Sequence, residues 1–319
     1  MNDKKKFENR DLKNPKEGQL VLIDGHAILH RAYHALPPLT TRSGELVNAV
    51  YGFCTILLKV IDDLKPKYLA VAFDTPKPTF RQDIFIGYQA QRPKMEEELA
   101  GQIEKIQKVL GVFKIPIFAV EGYEADDVIA TIAKRAAEKQ EVIIVSGDKD
   151  LFQLVDKRIK IYMPIRGLSE AQLFGEKEVE EKMGVKPNQI VDYKALVGDA
   201  SDNYPGVPGI GPKTAVDLLE KFETLENIYR SVDKIKNQAL KEKLIKGREN
   251  AELSKKLATI INNVPVSFDW KKSRLGDLGS EEALAILRQF GFKSLIGRIT
   301  GEKPKKNKKE EETRQEKLF

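Results

Sequence analysis

The sequence predicts an α/β protein: a mostly parallel, doubly wound sheet flanked by helices, followed by a smaller all-helical module. Three short apolar runs, QLVLID, YLAVAFD and EVIIVSGDKD, have the length of buried strands, and each breaks at an aspartate. Helical patterns fill the intervals, over 46–63, 96–110 and 125–139, and alternation of this kind marks parallel strands joined by crossover helices. From about residue 186 the pattern changes to short helices joined by glycine-rich turns.

Taken in order, residues 1–17 are charged and patternless and are expected to form a disordered basic arm. The sheet domain is expected over 18–185. After the first strand, His26, His30 and His34 recur every four residues and line one face of a helix. A row spanning two turns cannot close on one zinc ion without distortion, so these histidines are expected to face a site or to pack. Cys54, the single cysteine, lies in the apolar run YGFCTILLKVI and reads as a small core residue. The helical module is expected over 186–300, with GVPGIGPKTAVDLLEKF as its landmark, lysine-rich helices across 233–260, and SEEALAILRQFGFKSLIGRI closing it. Residues 301–319 carry no core-forming pattern until Leu318 and Phe319, and the chain has no internal repeat.

Composition narrows the class. With 319 residues, 41% of them hydrophobic, the chain can bury one large core or one core with a smaller companion. Lys and Arg number 54 against 48 Asp and Glu, a formal charge of +6 that suits a polyanionic partner without requiring one. One cysteine excludes a disulfide framework and fits a reducing compartment. No apolar stretch approaches membrane-spanning length, and the start lacks the apolar segment of a signal peptide, so a cytoplasmic location is expected.

Nine carboxylates stand out by position. Asp24, Asp74 and Asp148 fall at the carboxyl ends of the three runs, where open parallel sheets bind ligands, and Asp150 follows two residues on. Glu124, Asp126 and Asp127 crowd a helix start, and Asp199 and Asp202 form a pair where the second module begins. Aspartates commonly cap helices and fill turns. A whole set at one sheet edge, however, repels itself unless divalent cations sit among the carboxylates, and oxygen-only ligation points to magnesium or manganese.

Two segments suit phosphate. In GVPGIGPKTA, Gly206, Gly209 and Gly211 allow close backbone approach, and Lys213 and Thr214 open a helix whose N–H groups face outward. After Asp74, the basic residues Lys77, Arg81, Arg92 and Lys94 interleave with Phe80, Phe85 and Tyr88. Cations for phosphates with rings for bases suit a single strand of nucleotides, although a solvated amphipathic helix has the same pattern.

The stretches DGH…RAYHAL, FD, GYEADD, GDKDLFQLV and GDASDNYPGVPGIGPKTA occur in the order and spacing of one family. The chain resembles the bacterial 5′ nucleases, flap endonuclease relatives that form the amino-terminal domain of DNA polymerase I or exist alone. The match runs from about 19 to 299. It implies a PIN-like catalytic domain with an arch at about 76–100, and a helix-hairpin (helix-3-turn-helix) DNA-binding module. It implies a two-metal phosphodiesterase of replication and repair, using Mg2+ or Mn2+, that trims 5′ ends and cuts 5′ flaps, leaving 5′-phosphate and 3′-hydroxyl ends.

By that resemblance Asp24, Asp74, Glu124 and Asp126 surround a first metal. Asp148, Asp150, Asp199 and Asp202 surround a second, with Asp127 alongside. Arg31, Arg81, Tyr88 and Arg92 match positions near the scissile phosphate and in the arch, and the glycine turn matches a duplex-holding hairpin that often binds a potassium ion. Expected substrates are DNA flaps, nicks and 5′ ends, and a monomer is expected. A non-catalytic DNA-binding protein would be expected to lose some of the nine carboxylates, and all are present. A ribonuclease on the same acidic cluster fits the hairpin and arch less well, although RNA in RNA–DNA hybrids, as in primer removal, remains a candidate substrate.

One departure is local: the family usually places lysine directly after the arch tyrosine, whereas here Gln89 follows Tyr88. Gln brings no charge to a phosphate gaining negative character. The last five residues, QEKLF, resemble the bacterial sliding-clamp-binding motif, with Gln315 at the pocket rim, Leu318 and Phe319 in the pocket, and 301–314 as tether. That motif at the chain end suggests a stand-alone enzyme.

Overall fold

The computed structural model describes residues 18–168 and 170–302. The expected arm at 1–17 and the tail from 303, which holds Gln315, Leu318 and Phe319, lie outside the described residues.

Six strands form one sheet: β1 (Leu20–Asp24), β2 (Tyr68–Ala72), β3 (Ile117–Phe118), β4 (Val142–Val145), β5 (Ile159–Arg166) and β6 (Glu170–Phe174). Their order is β3-β2-β1-β4-β5-β6; neighbours are parallel except β6, which returns antiparallel beside β5. The three expected strands are β1, β2 and β4. The other three were not foreseen. β3 is two residues long, and β5 carries Pro164 beside a register shift, a pattern confined to sheet edges and bulges.

Before residue 186 the helices are α1 (Gly25–Ala35), α2 (Asn48–Leu64), α3 (Phe80–Ile84), α4 (Glu97–Val112), α5 (Ala125–Ala137) and α6 (Glu176–Met183). Strand residues alternate between faces, so one continuous apolar run serves two cores. Leu20, Leu22, Ala70, Ala72, Val142 and Ile144 pack under α5, whereas Val21, Ile23, Leu69, Val71, Ile143 and Val145 pack with α2 and α4. Cys54 is buried in α2, and burial pushes its thiol up to about 12. Helices α1 and α2 meet closely at Gly52, where a Cβ would stand 2.7 Å from that of Ala32.

Among the described residues seven helices follow: α7 (Ile190–Val197), α8 (Pro212–Phe222), α9 (Leu225–Arg230), α10 (Gln238–Lys246), α11 (Arg248–Ala258), α12 (Glu281–Gln289) and α13 (Lys293–Thr300). The core under α5 continues without a break into Ile190, Leu196, Leu219, Ile228 and Ala251, so the helical part is an extension of the sheet's first face. The last two helices of the stretch expected as one module pack elsewhere than the rest of it. Ala283 and Leu287 of α12 and Leu295 of α13 join the opposite core, beside α2 and α4, because the linking segment runs along the sheet edge. There Leu69 N donates to Ser273 O (2.8 Å) and Leu275 N to Lys67 O (3.0 Å). None of the described helices is long and apolar enough to cross a membrane.

Candidate active site

Connections from β1 lead toward β2 and β3 on one side, and β4 continues to β5 on the other, so the carboxyl ends of β1 and β4 flank the point where strand order reverses. Crevices at such points are where open sheets bind ligands. Asp24 ends β1 and caps α1, its Oδ1 accepting from Ala27 N at 3.0 Å. Its Oδ2 accepts from Ser146 Oγ (2.7 Å), which itself accepts from Asp148 N (3.0 Å), and Asp148 Oδ1 accepts from Asp150 N (2.8 Å). One serine hydroxyl therefore stitches the two strand ends together. Asp74 follows β2, its Oδ1 accepting from Ala125 N at the start of α5 (2.7 Å), with His26 Nδ1 3.1 Å from its Oδ2.

These groups charge one another. Burial pushes Asp24 up to about 6, opposed by the Ala27 and Ser146 hydrogen bonds and helped by Asp74 and Asp148. Burial likewise lifts Glu124 to about 7, against the pull of Arg81. Asp126 is pushed well above the carboxylate range by burial and by Asp148, Asp24, Asp74 and Glu124. Asp74, about half exposed, is held below that range against partial desolvation by His26 and the Ala125 N–H.

A second group lies beside the first. Asp150, Asp199 and Asp202 each offer an oxygen within 4.8 Å of the others, and this is the one such cluster among the described residues; no histidine joins it. Instead His30 and His34 stack on each other with ring centroids 6.3 Å apart. Asp199 is set by a tight loop in which its Oδ1 accepts from Ser201 N (2.7 Å) and Asp202 N (3.2 Å). Lys194, on α7, donates to Asp150 Oδ1 and to Asp199 Oδ2, the latter at 2.5 Å. Despite burial, Lys194 and Ser201 hold Asp199 down to about 2.

The segment after α3 lies across this crevice. Tyr88 is buried, its hydroxyl donating to Glu124 Oε2 (3.3 Å) and Asp202 Oδ2 (3.4 Å). Gln89 donates to Asp202 twice, from its backbone N to the carbonyl (2.9 Å) and from Nε2 to Oδ1 (3.2 Å). Arg92 Nη2 reaches the same Oδ1 at 2.5 Å. Asn203 Nδ2 donates to Gly87 O at 2.7 Å, completing the seam.

Several expected site residues are placed otherwise. Arg81 is 2% exposed and Asp127 0%, and they form a fork-to-fork pair with both contacts at 2.8 Å. Arg81 also donates to Leu257 O (3.0 Å) and Thr259 O (2.9 Å), and Asp127 Oδ1 accepts from Ile261 N (3.0 Å). Neither is free to meet a metal or a phosphate; the pair pins α3 to α5 and to the end of α11. Arg31 donates from Nε to Gly167 O (3.1 Å), in the turn between β5 and β6. Gly206 is buried and its N–H donates to Ser254 Oγ (3.1 Å), so it serves packing, not phosphate. Its added Cβ would stand 2.2 Å from Gly198 N, and its φ is +59°. Gly209, Gly211, Lys213 and Lys94 are exposed and Thr214 half-buried. At the expected potassium turn, the Gly209 carbonyl already accepts from Lys243 Nζ at 3.1 Å, so this carbonyl has its cation from the chain.

Ser146 and Lys194 were not singled out in the sequence. A lysine inside the apolar helix IVDYKALV, five residues ahead of an aspartate pair, was the available signal.

A crevice of clustered carboxylates at a sheet switch point, with a basic and aromatic segment across it, is the site of a protein that gathers divalent cations and an anionic ligand. Two family models divide the chain: 5′-3′ exonuclease, N-terminal resolvase-like domain, over 19–184, and 5′-3′ exonuclease, C-terminal SAM fold, over 185–281. The chain belongs to the 5′-3′ exonuclease family. The 5′-3′ exonuclease of Aquifex aeolicus is 37% identical over 281 residues, covering 88% of this chain and 94% of that protein. DNA polymerase I of Bacillus subtilis is 41% identical over 283 residues, covering 88% of this chain, which spans about a third (32%) of that polymerase's length. The bacteriophage T5 flap endonuclease, solved with DNA and metal ions, shares the fold at a TM-score of 0.62 and 19% identity, over 89% of this chain and 97% of that one.

Proposed function

We propose that this chain is a divalent-metal-dependent 5′-3′ exonuclease and 5′-flap endonuclease that hydrolyses DNA phosphodiester bonds. The observation that carries the reading is the convergence of Asp24, Asp126 and Asp148 with Asp150, Asp199 and Asp202 in one crevice, where burial and neighbouring like charge together raise Asp24, Asp126 and Asp150. The donor set is all oxygen, which fits Mg2+ or Mn2+. Asp24, Asp74, Glu124 and Asp126 would hold one ion, and Asp148, Asp150, Asp199 and Asp202 a second. Bound divalent cations supply Lewis acidity to the attacking water and to the leaving 3′ oxygen.

The chain's own residues do the rest. Ser146 keeps Asp24 and Asp148 in register, and Arg92, half exposed and already at the crevice, is positioned to take a phosphate oxygen once released from Asp202. Tyr88, buried beside the carboxylates, orients Glu124 and Asp202 through its hydroxyl. Lys213 and Thr214, at the start of α8, offer N–H groups to the duplex backbone. Purified protein with Mg2+ should cut a labelled 5′-flap duplex at its junction, whereas EDTA or Asp148→Asn should stop cleavage. Metal-independent or absent cleavage would overturn the reading.

Protonation gives an independent check. Asp24 at about 6 and Glu124 at about 7 sit above the unfolded value of about 4, so the metal-free fold binds more protons than the unfolded chain. Their contribution to stability is full below pH of about 4 and is lost as pH rises through about 7. His30, lowered by burial and by His26 and His34, changes in the opposite sense. Since ligand carboxylates bind in ionised form, the Tm increase produced by Mg2+ should be larger at pH 7.5 than at pH 5.5 by thermal denaturation. Equal increments would contradict metal binding at these groups.

Gln89 hydrogen-bonds Asp202 and carries no charge. Gln89→Lys should raise the single-turnover cleavage rate by about tenfold by adding a cation near the reacting phosphate. An unchanged or lower rate counts against that role.

A further inference from the structure

Lys194 stands in the last turn of α7, five residues before Asp199, and is only 8% exposed. An ammonium so buried is costly unless carboxylates pair with it. Here Asp150 and Asp199 do so, and Arg92 pairs with Asp202, so each member of the closest carboxylate trio already has a cation from the chain. The Tyr204 hydroxyl is buried and has no hydrogen-bond partner among the described residues. Arg92 comes from a segment on the surface and is half exposed, but Lys194 is held by the helix that delivers Asp199 itself.

We infer that Lys194 is an internal counter-ion of the second metal centre, holding Asp150 and Asp199 in place before a divalent cation arrives and competing with that cation for the same oxygens. The inference rests on the two-metal reading above and adds a positioning residue to it. A cation entering the trio meets the ammonium at close range, where like charges repel strongly in a poorly solvated site. The ammonium must give up Asp150 and Asp199 before both can ligate. Two consequences follow: the second ion binds more weakly than the first, and its carboxylates remain ordered without it. A lysine buried only for packing would stabilise the fold equally with and without metal.

The test uses the full chain with Lys194→Gln, which keeps a hydrogen-bond donor and removes the charge, and Lys194→Arg, which keeps the charge. Mn2+ titration followed by electron paramagnetic resonance counts bound ions and their affinities, and thermal denaturation is run in EDTA and in saturating Mg2+. Wild type should bind two ions of unequal affinity. Lys194→Gln should tighten the weaker site by about tenfold and lower Tm in EDTA but not in Mg2+, while Lys194→Arg should resemble wild type. Two ions bound with affinities unchanged in Lys194→Gln, or a Tm loss equal in EDTA and Mg2+, would overturn the inference alone. A wild type that binds a single ion would overturn it together with the two-metal reading.

Discussion

Asp126→Asn should lower flap cleavage by about 10³-fold, equivalent to ~4 kcal/mol of transition-state stabilisation, while raising the Tm of the metal-free protein. Both effects have one cause. Asp126 is the carboxylate on which Asp148, Asp24, Asp74 and Glu124 all act, and burial already disfavours its charge. Neutralising it relieves the repulsion that a bound cation would otherwise offset, so the fold gains and the reaction loses. Single-turnover kinetics and thermal denaturation in EDTA read the two halves; a variant that loses activity and also loses metal-free stability would show that Asp126 is held for the fold.

Arg81→Met should cost about 3–5 kcal/mol of stability and lower Tm by about 10 °C, because it strands a carboxylate that is 0% exposed. Four hydrogen bonds leave that guanidinium, two to Asp127 and one each to Leu257 O and Thr259 O. Arg81→Met/Asp127→Leu should recover much of the loss, since removing both charges leaves no unpaired ion in the core. If Arg81 instead served a phosphate, Arg81→Met would weaken DNA binding in an anisotropy titration and leave Tm unchanged.

The pair also marks where sequence reading reaches its limit. An arginine among aromatics after a strand, and an aspartate beside two others at a helix start, look the same whether they face a ligand or each other. Which they face depends on Leu257, Thr259 and Ile261, more than a hundred residues away. By contrast, β1, β2 and β4 were legible because buried parallel strands are continuous apolar runs, and Asp24, Asp74 and Asp148 were legible because strand ends fix where the next residue can point. β3 and β5 were not, since a two-residue edge strand and a strand carrying proline have weak local patterns. The fold-back of α12 and α13 depends on edge hydrogen bonds to Lys67 and Leu69 that leave no periodic trace. Lys194 was hidden for a related reason: a single lysine in an apolar helix announces a partner without naming it.

The backbone contact between Gly206 and Gly198 has a mechanical meaning. With no side chain on either side, the turn that precedes α8 and the loop that carries Asp199 and Asp202 abut main chain to main chain and share a hydrogen bond from Asp199 N to Tyr204 O at 2.9 Å. Main-chain contact of this kind leaves little room for the turn to shift against the loop. If the proposed function holds, a duplex gripped at the start of α8 would sit at a fixed offset from those carboxylates, and the molecule would carry its own ruler for how far from the grip a strand is cut.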